Sequence, residues 1–209
     1  MEVRWFYEGA IPGEVVEWFR SGERLTENEP PRVDRYMRLG EADGLGIKVR
    51  EGRLEIKQRT GKGGVIRFQG RASGQIEEWR KWSFVLDTSN EALGGLLVPG
   101  SAWVSVEKTR ELRRYSLIPG GQLETALAGQ FPARGCNAEL SRLVVEGQSW
   151  WSVCLEAFGG ESLLQEALML AAARIFDRPL ATFNLQASDS FGYPRWLASL
   201  APGRDSQPV

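Results

Sequence analysis

The sequence predicts an α+β protein built on an antiparallel barrel or tunnel of about eight strands, with a few flanking helices. Three observations predict it. Short runs of alternating apolar and polar residues recur along most of the chain, two of them fold back across a Glu-Gly pair, and the helical period dominates only one long segment, after Gly160. At 209 residues the chain is long enough for one domain with a sizeable core, expected over 1–200, with 201–209 as a flexible tail.

Glu2 to Glu8 reads as the first strand and Pro12 to Arg20 as a short helix, with proline near its first turn and Val15, Val16 and Phe19 on one face. The polar, proline-bearing SGERLTENEPPRV reads as a loop before a strand at Arg35 to Leu39. Leu45 to Arg59 is a hairpin about Glu51-Gly52. Its alternation puts Ile47, Val49, Leu54 and Ile56 on one face and Lys48, Arg50, Glu55, Lys57 and Arg59 on the other. The charged face either meets water or points into a closed tunnel with anionic partners. Which side it takes decides the function.

The following TGKGG reads as a turn, since it lacks the spacing of a phosphate loop and precedes no helix. Val65 to Phe68 and Gln75 to Leu86 are further strands, the second with Glu77, Trp79 and Lys81 on one parity and Glu78, Arg80, Trp82 and Phe84 on the other. Ser89 to Leu97 reads as a short helix closed by Pro99-Gly100. Ala102 to Ile118 is a strand pair or one long strand, and Leu123 to Ala128 a helical turn. Asn137 to Val145 and Ser149 to Phe158 form a second hairpin about Glu146-Gly147. Ser162 is placed to cap a helix running to Asp177–Pro179, with Leu163, Leu164, Ala167, Leu168, Leu170, Ala171 and Ile175 as its apolar face. YPRWLASL reads as a last helical turn.

Composition restricts the chemistry. The 26 basic and 27 acidic residues nearly cancel, so neither nucleic acid nor an anionic membrane is an expected partner, and any attraction for anions is local. With no histidine there is no Ser-His or Cys-His nucleophile pair, no imidazole base and no His-ligated zinc. Cys136 and Cys154 are too few for a disulfide framework and lack metal-ligand spacing, which fits a reducing cytosol. The start MEVRWFYEG carries no signal-like pattern and no run approaches a bilayer span, so the expected location is cytoplasmic. Trp5, Trp103 and Trp151 read as core and rim, Tyr36 and Tyr115 as packing residues whose hydroxyls can reach a ligand, and Cys154 lacks a base to ionise it.

Five pieces carry a family resemblance. VDRYM at 33–37, LGIKVREGRLEIKQR at 45–59, VEKTRELRRY at 106–115, the pair NAELSRL and WWSVCLEAFG, and YPRWL at 193–197 together resemble the CYTH superfamily of triphosphate tunnel enzymes. The resemblance implies a tunnel in which Lys48, Arg50, Lys57, Lys108 and Arg110 grip phosphate oxygens, and in which Glu2, Glu139 and Glu156 remain as acids for Mg2+ or Mn2+, with Glu55 also inward. The chain departs from the family pattern where Glu-x-Glu-x-Lys becomes Glu2, Arg4 and Phe6, where a second Glu-x-Glu becomes Cys154-Leu155-Glu156, and at Ser141 in place of an aspartate. Two lost acids and an added cation oppose metal binding by ligand count and by repulsion.

Three functions are expected to compete. One is a tunnel protein that binds a small phosphate-rich ligand (triphosphate, polyphosphate or nucleotide) with weak or absent hydrolysis. Another is an active metal-dependent triphosphatase. The third is a lipocalin-like or interaction protein, which requires an apolar lumen with Lys48, Arg50 and Lys57 facing water. The sequence assigns no oligomeric state.

Overall fold

A computed structural model describes residues 1–40, 42–69, 71–86, 102–178 and 183–200. The expected helix at Ser89–Leu97 and the expected tail at 201–209 lie outside the described residues. The strands are β1 (Glu2–Glu8), β2 (Glu27–Met37), β3 (Leu45–Arg50), β4 (Arg53–Phe68), β5 (Ala72–Val85), β6 (Trp103–Ile118), β7 (Gln122–Thr125), β8 (Gly135–Val145) and β9 (Gln148–Phe158). The helices are α1 (Gly13–Arg20), α2 (Leu164–Ile175) and α3 (Tyr193–Ser199). Among the described residues no helix is long and apolar enough to cross a membrane.

The sheet runs β2-β3-β4-β5-β1-β9-β8-β6, and β2 pairs back onto β6, which closes an eight-stranded antiparallel barrel. Closure pairs each strand of the ring with two neighbours, although β1 and β5 meet only at Glu2 and Glu77. Both predicted hairpins are present. Their Glu-Gly pairs each take positive φ at both positions, 48° and 69° at Glu51-Gly52 and 50° and 80° at Glu146-Gly147, the twist that two-residue hairpin turns need.

Four expectations are corrected. The proline-bearing stretch is strand from Glu27 onward, because Pro30 and Pro31 fall in a bulge between Glu29 and Arg32 where no ladder N–H is required. TGKGG is not a turn but the middle of β4, carried through two register shifts opposite β5. Glycine is needed there, since a Cβ on Gly63 would sit 2.8 Å from Ile76 Cγ2. The expected helical turn at Leu123 is β7. β2 leaves the edge of β6 at Leu112, so the backbone of Tyr115–Ile118 is free to pair, and the chain turns back onto it. Ser162 caps nothing; it lies within a 3₁₀ turn, Glu161–Leu163, that leads into α2.

The main apolar core lies outside the barrel. α2 crosses β8 and β9, and its Ala167, Leu168, Ala171 and Ile175 join Val15 and Phe19 of α1 against Val3, Trp5, Leu140, Val153 and Leu155 on the outer strand faces. Inside, Phe6, Tyr36, Val104, Leu143 and Val145 pack with Trp196 and Leu197 of α3. Trp196 stacks on Phe6 at 4.8 Å between ring centroids.

Trp5 is fully buried and its Nε1 donates to the Ser73 carbonyl oxygen at 2.8 Å. Trp5→Ala is therefore expected to lower unfolding free energy by about 3–5 kcal/mol in urea denaturation. Phe84→Ser, on the exposed outer face of β5, is expected to stay within about 0.5 kcal/mol of wild type.

Candidate functional site

Residues of alternate parity face the lumen, and there the charged side of the β3–β4 hairpin turns inward. A cavity of about 260 Å³ is lined by side chains from all eight strands of the ring: Glu2 and Arg4 from β1, Arg32 and Tyr36 from β2, Lys48 and Arg50 from β3, Glu55 and Lys57 from β4, Lys81 from β5, Lys108 and Arg110 from β6, Glu139 from β8 and Glu156 from β9. Tyr193, Pro194 and Leu197 of α3 complete it. The apolar side of the same hairpin, Ile47, Val49, Leu54 and Ile56, faces outward, only half-buried. The usual burial preference is reversed here because the ring encloses polar groups and the greasy core is elsewhere.

The lining carries eight cationic side chains against four carboxylates, in a chain whose net charge is −1. Every lining carboxylate meets at least one cation. Glu139 receives hydrogen bonds from Arg4 Nη1 and Lys108 Nζ, both 2.9 Å, from Arg110 Nη1 at 3.2 Å and from Ser141 Oγ at 2.9 Å. Glu2 accepts from Arg4 Nε at 2.9 Å and Lys57 Nζ at 3.2 Å, and Lys57 also reaches Glu156 at 3.1 Å. Glu55 gathers Lys48 at 3.1 Å, Arg50 at 3.2 Å and Lys81 at 2.9 Å. Beneath the cavity, buried Asp34 holds Lys48 and Arg32, each at 3.2 Å, and accepts from the Tyr36 hydroxyl at 3.3 Å.

These contacts set the protonation states. Burial alone would raise the carboxyls, but Lys57 and Arg4 hold Glu2 down at about 2, and Lys48 and Lys81 do the same for Glu55. Glu139 lies well below the ordinary carboxylate range: burial opposes its charge, and Lys108, Arg4 and Arg110 outweigh burial. Lys48 behaves oppositely. Burial pulls it down to about 8, against the attraction of Asp34 and Glu55 and with the help of Arg50 and Lys108. Cys154, registered beside both Arg4 and Glu139, is pushed well up by burial and stays a thiol.

The five predicted phosphate-gripping residues, Lys48, Arg50, Lys57, Lys108 and Arg110, line this one cavity, as do Glu2, Glu139, Glu156 and Glu55. Arg50 also keeps a buried Nε with no hydrogen-bond partner among the described residues, 3.8 Å from Glu51. Tyr36 belongs to the lumen, whereas Tyr115 lies on the outer face in the core beneath α2, beside Arg174. Arg32, Lys81 and the anchoring Asp34 were not singled out from sequence. The parity of Lys81 with Glu77 and Trp79 was a usable signal; Arg32 was hidden behind the prolines.

The carboxylates do not fit a divalent cation as they stand. The Arg4 guanidinium bridges Glu2 and Glu139, Lys57 bridges Glu2 and Glu156, and among the described residues no group of three or more His, Cys, Asp or Glu side chains is placed to hold a metal ion.

No family model matches the sequence, and no curated protein does. Among solved structures, the PH1012 protein of Pyrococcus horikoshii OT3 is similar with a TM-score of 0.42 and 12% identity, over 91% of this chain and 94% of that one. A conserved hypothetical protein of Pyrococcus furiosus gives 0.42 and 12%, over 93% and 99%. Neither likeness bears on function.

Glu139→Gln leaves buried Arg4 and Lys108 short of a counter-charge, and is expected to lower stability by about 3–5 kcal/mol at neutral pH in urea denaturation. Glu2, Glu55 and Glu139 have depressed folded pKa values. Their contribution is therefore complete above the unfolded value of 4.5 and is lost as pH falls through the folded values, about 2 for Glu2 and Glu55. The urea midpoint is expected to drop steeply between pH 4.5 and 2 and to drop less steeply in Glu55→Gln.

Proposed function

We propose that the lumen binds a small phosphate-rich anion, such as a triphosphate, polyphosphate or nucleotide, with weak or absent metal-dependent hydrolysis. The observation that carries this reading is the set of eight cations, against four lining carboxylates and Asp34 beneath them, in a cavity that all eight strands line. Internal acids offset part of that charge; an oxyanion with several charges offsets the rest. Arginines supply paired planar donors that match phosphate oxygens, and lysines supply point charges at the periphery of the same group. The strand motifs that resemble the CYTH superfamily point the same way.

An active triphosphatase would need a centre to stabilise charge on the leaving and attacking oxygens. Glu2, Glu139 and Glu156 are engaged with lysine and arginine, which favours binding over turnover. An apolar ligand of lipocalin type finds little support, since Lys48, Arg50 and Lys57 line the cavity instead of meeting bulk water.

Calorimetric titration with tripolyphosphate tests the reading; an absence of heat both with and without Mg2+ would refute it. Arg50→Ala is expected to weaken binding by about 10- to 100-fold while leaving the circular dichroism spectrum unchanged, since charged hydrogen bonds of this kind contribute about 1.5–3 kcal/mol each. Affinity is also expected to decline as pH rises through about 8, where Lys48 loses its charge. Lys48→Met should bind more weakly at pH 7 and lack that step.

A further inference from the structure

We infer that the Arg4 guanidinium takes the place of a divalent cation in this lumen, so that the anion is bound in its metal-free form and Mg2+ weakens binding by drawing ligand away. The inference rests on the phosphate-anion reading and adds which form of the ligand the tunnel accepts.

Arg4 sits between two acids that lie far apart in the sequence, Glu2 and Glu139. Its Nε meets Glu2 Oε1 and its Nη1 meets Glu139 Oε1, each at 2.9 Å, and Nη1 also lies 3.2 Å from the Ser152 hydroxyl. All four side chains are buried. A divalent ion of the Mg type needs several hard oxygen ligands with free lone pairs pointing at one centre. Here the oxygens that converge do so on a guanidinium, and Lys57 and Lys108 take further lone pairs of the same two acids. An arriving dication would have to displace three cations that are covalently tethered to the barrel and cannot leave it. Arg4 and Lys108 would then stand buried beside the new charge.

The Tyr193 ring fixes the guanidinium from a further side, 4.9 Å from its carbon, so Arg4 is held even where it makes no ion pair. The ligand consequence follows from charge. The cations of the lining outnumber its acids, and a polyphosphate that has already bound Mg2+ brings two fewer negative charges to meet that surplus. Free polyphosphate matches the surplus better. A fixed cation also needs no metal to arrive with the ligand.

Two measurements on the full chain test this. Tripolyphosphate is titrated calorimetrically in EDTA and again with Mg2+ in excess of tripolyphosphate; full-strength binding is expected in EDTA, and an apparent affinity at least about tenfold lower with Mg2+. Mn2+ is titrated without phosphate and its free-ion paramagnetic resonance signal read; the wild-type protein is expected to leave that signal undiminished. Arg4→Glu, which sets a third carboxylate beside Glu2 and Glu139, is expected to diminish it. Heat with tripolyphosphate only when Mg2+ or Mn2+ is present would overturn this inference and leave the phosphate reading standing, whereas no heat under either condition would overturn both. A folded Arg4→Glu protein that captures no Mn2+ would also count against Arg4 as the group that excludes metal. If that variant fails to fold, the wild-type titrations decide alone.

Discussion

The barrel depends on carboxylates placed between cations across strands that are far apart in sequence. A closed ring forces alternate side chains inward, and here those side chains are lysine and arginine from nearly every strand. Without counter-charges, such a lumen would repel itself apart, since like charges a few ångströms from one another in a poorly hydrated interior cost several kcal/mol each. Glu2, Glu55, Asp34 and Glu139 lie on four different strands, and each joins at least two cations. The interleaving tolerates charge; it does not eliminate it. What remains is an excess of cations over acids around one cavity of a nearly neutral molecule.

Stability must then come from somewhere else, and the core's location supplies it. The outer faces of β1, β9, β8 and part of β6 carry the large side chains, and α1 and α2 close over them. Trp5, Phe68 and Phe176 meet one another at centroid distances of 5.4 to 6.2 Å in that layer. The same strands thus do two jobs by parity: Val3 and Trp5 look out to the helices while Glu2 and Arg4 look into the lumen. A one-residue slip of β1 would exchange them, which would bury charge in the core and put tryptophan in the cavity, so the register is strongly specified.

Much of this was legible in the chain itself. Period-two alternation located most strands, and the two Glu-Gly pairs located both tight turns, because φ above zero at consecutive positions admits few sequences. Alternation also gathered Lys48, Arg50 and Lys57 onto one face, but it could not say which face is inside: the pattern is symmetric under exchange of interior and exterior, and only closure of β2 onto β6 breaks that symmetry. The misreadings have local causes. Pro30-Pro31 and TGKGG carry turn composition, yet bulges let both lie within strands. β7 exists because a neighbouring edge is vacant, which no short-range signal encodes. The partner of Arg4 on β8 lies 135 residues away, and nothing in local sequence marks Glu139 as its counter-ion.

Arg4 and Phe6 mark where the lumen changes character. They are two residues apart on the same face of β1, so they occupy successive levels of the barrel. Below them Phe6, Tyr36, Val104 and Val145 form an apolar floor with Trp196 and Leu197; above them the acids and cations interleave. α3 joins the two levels, since Tyr193 packs edge-on against Phe6 at 5.1 Å, stacks with Tyr36 at 5.1 Å and lies under both Arg4 and Lys108. An aromatic ring suits that boundary because its edge is apolar while its face attracts cations. The floor sets apolar surface against one end of the charged layer, which strengthens the ion pairs next to it and raises the cost of leaving any of those charges unpaired. The aromatic floor and the ionic ring are therefore one device: the first strengthens the second's ion pairs, and the second holds the rings of Tyr36 and Tyr193 in place.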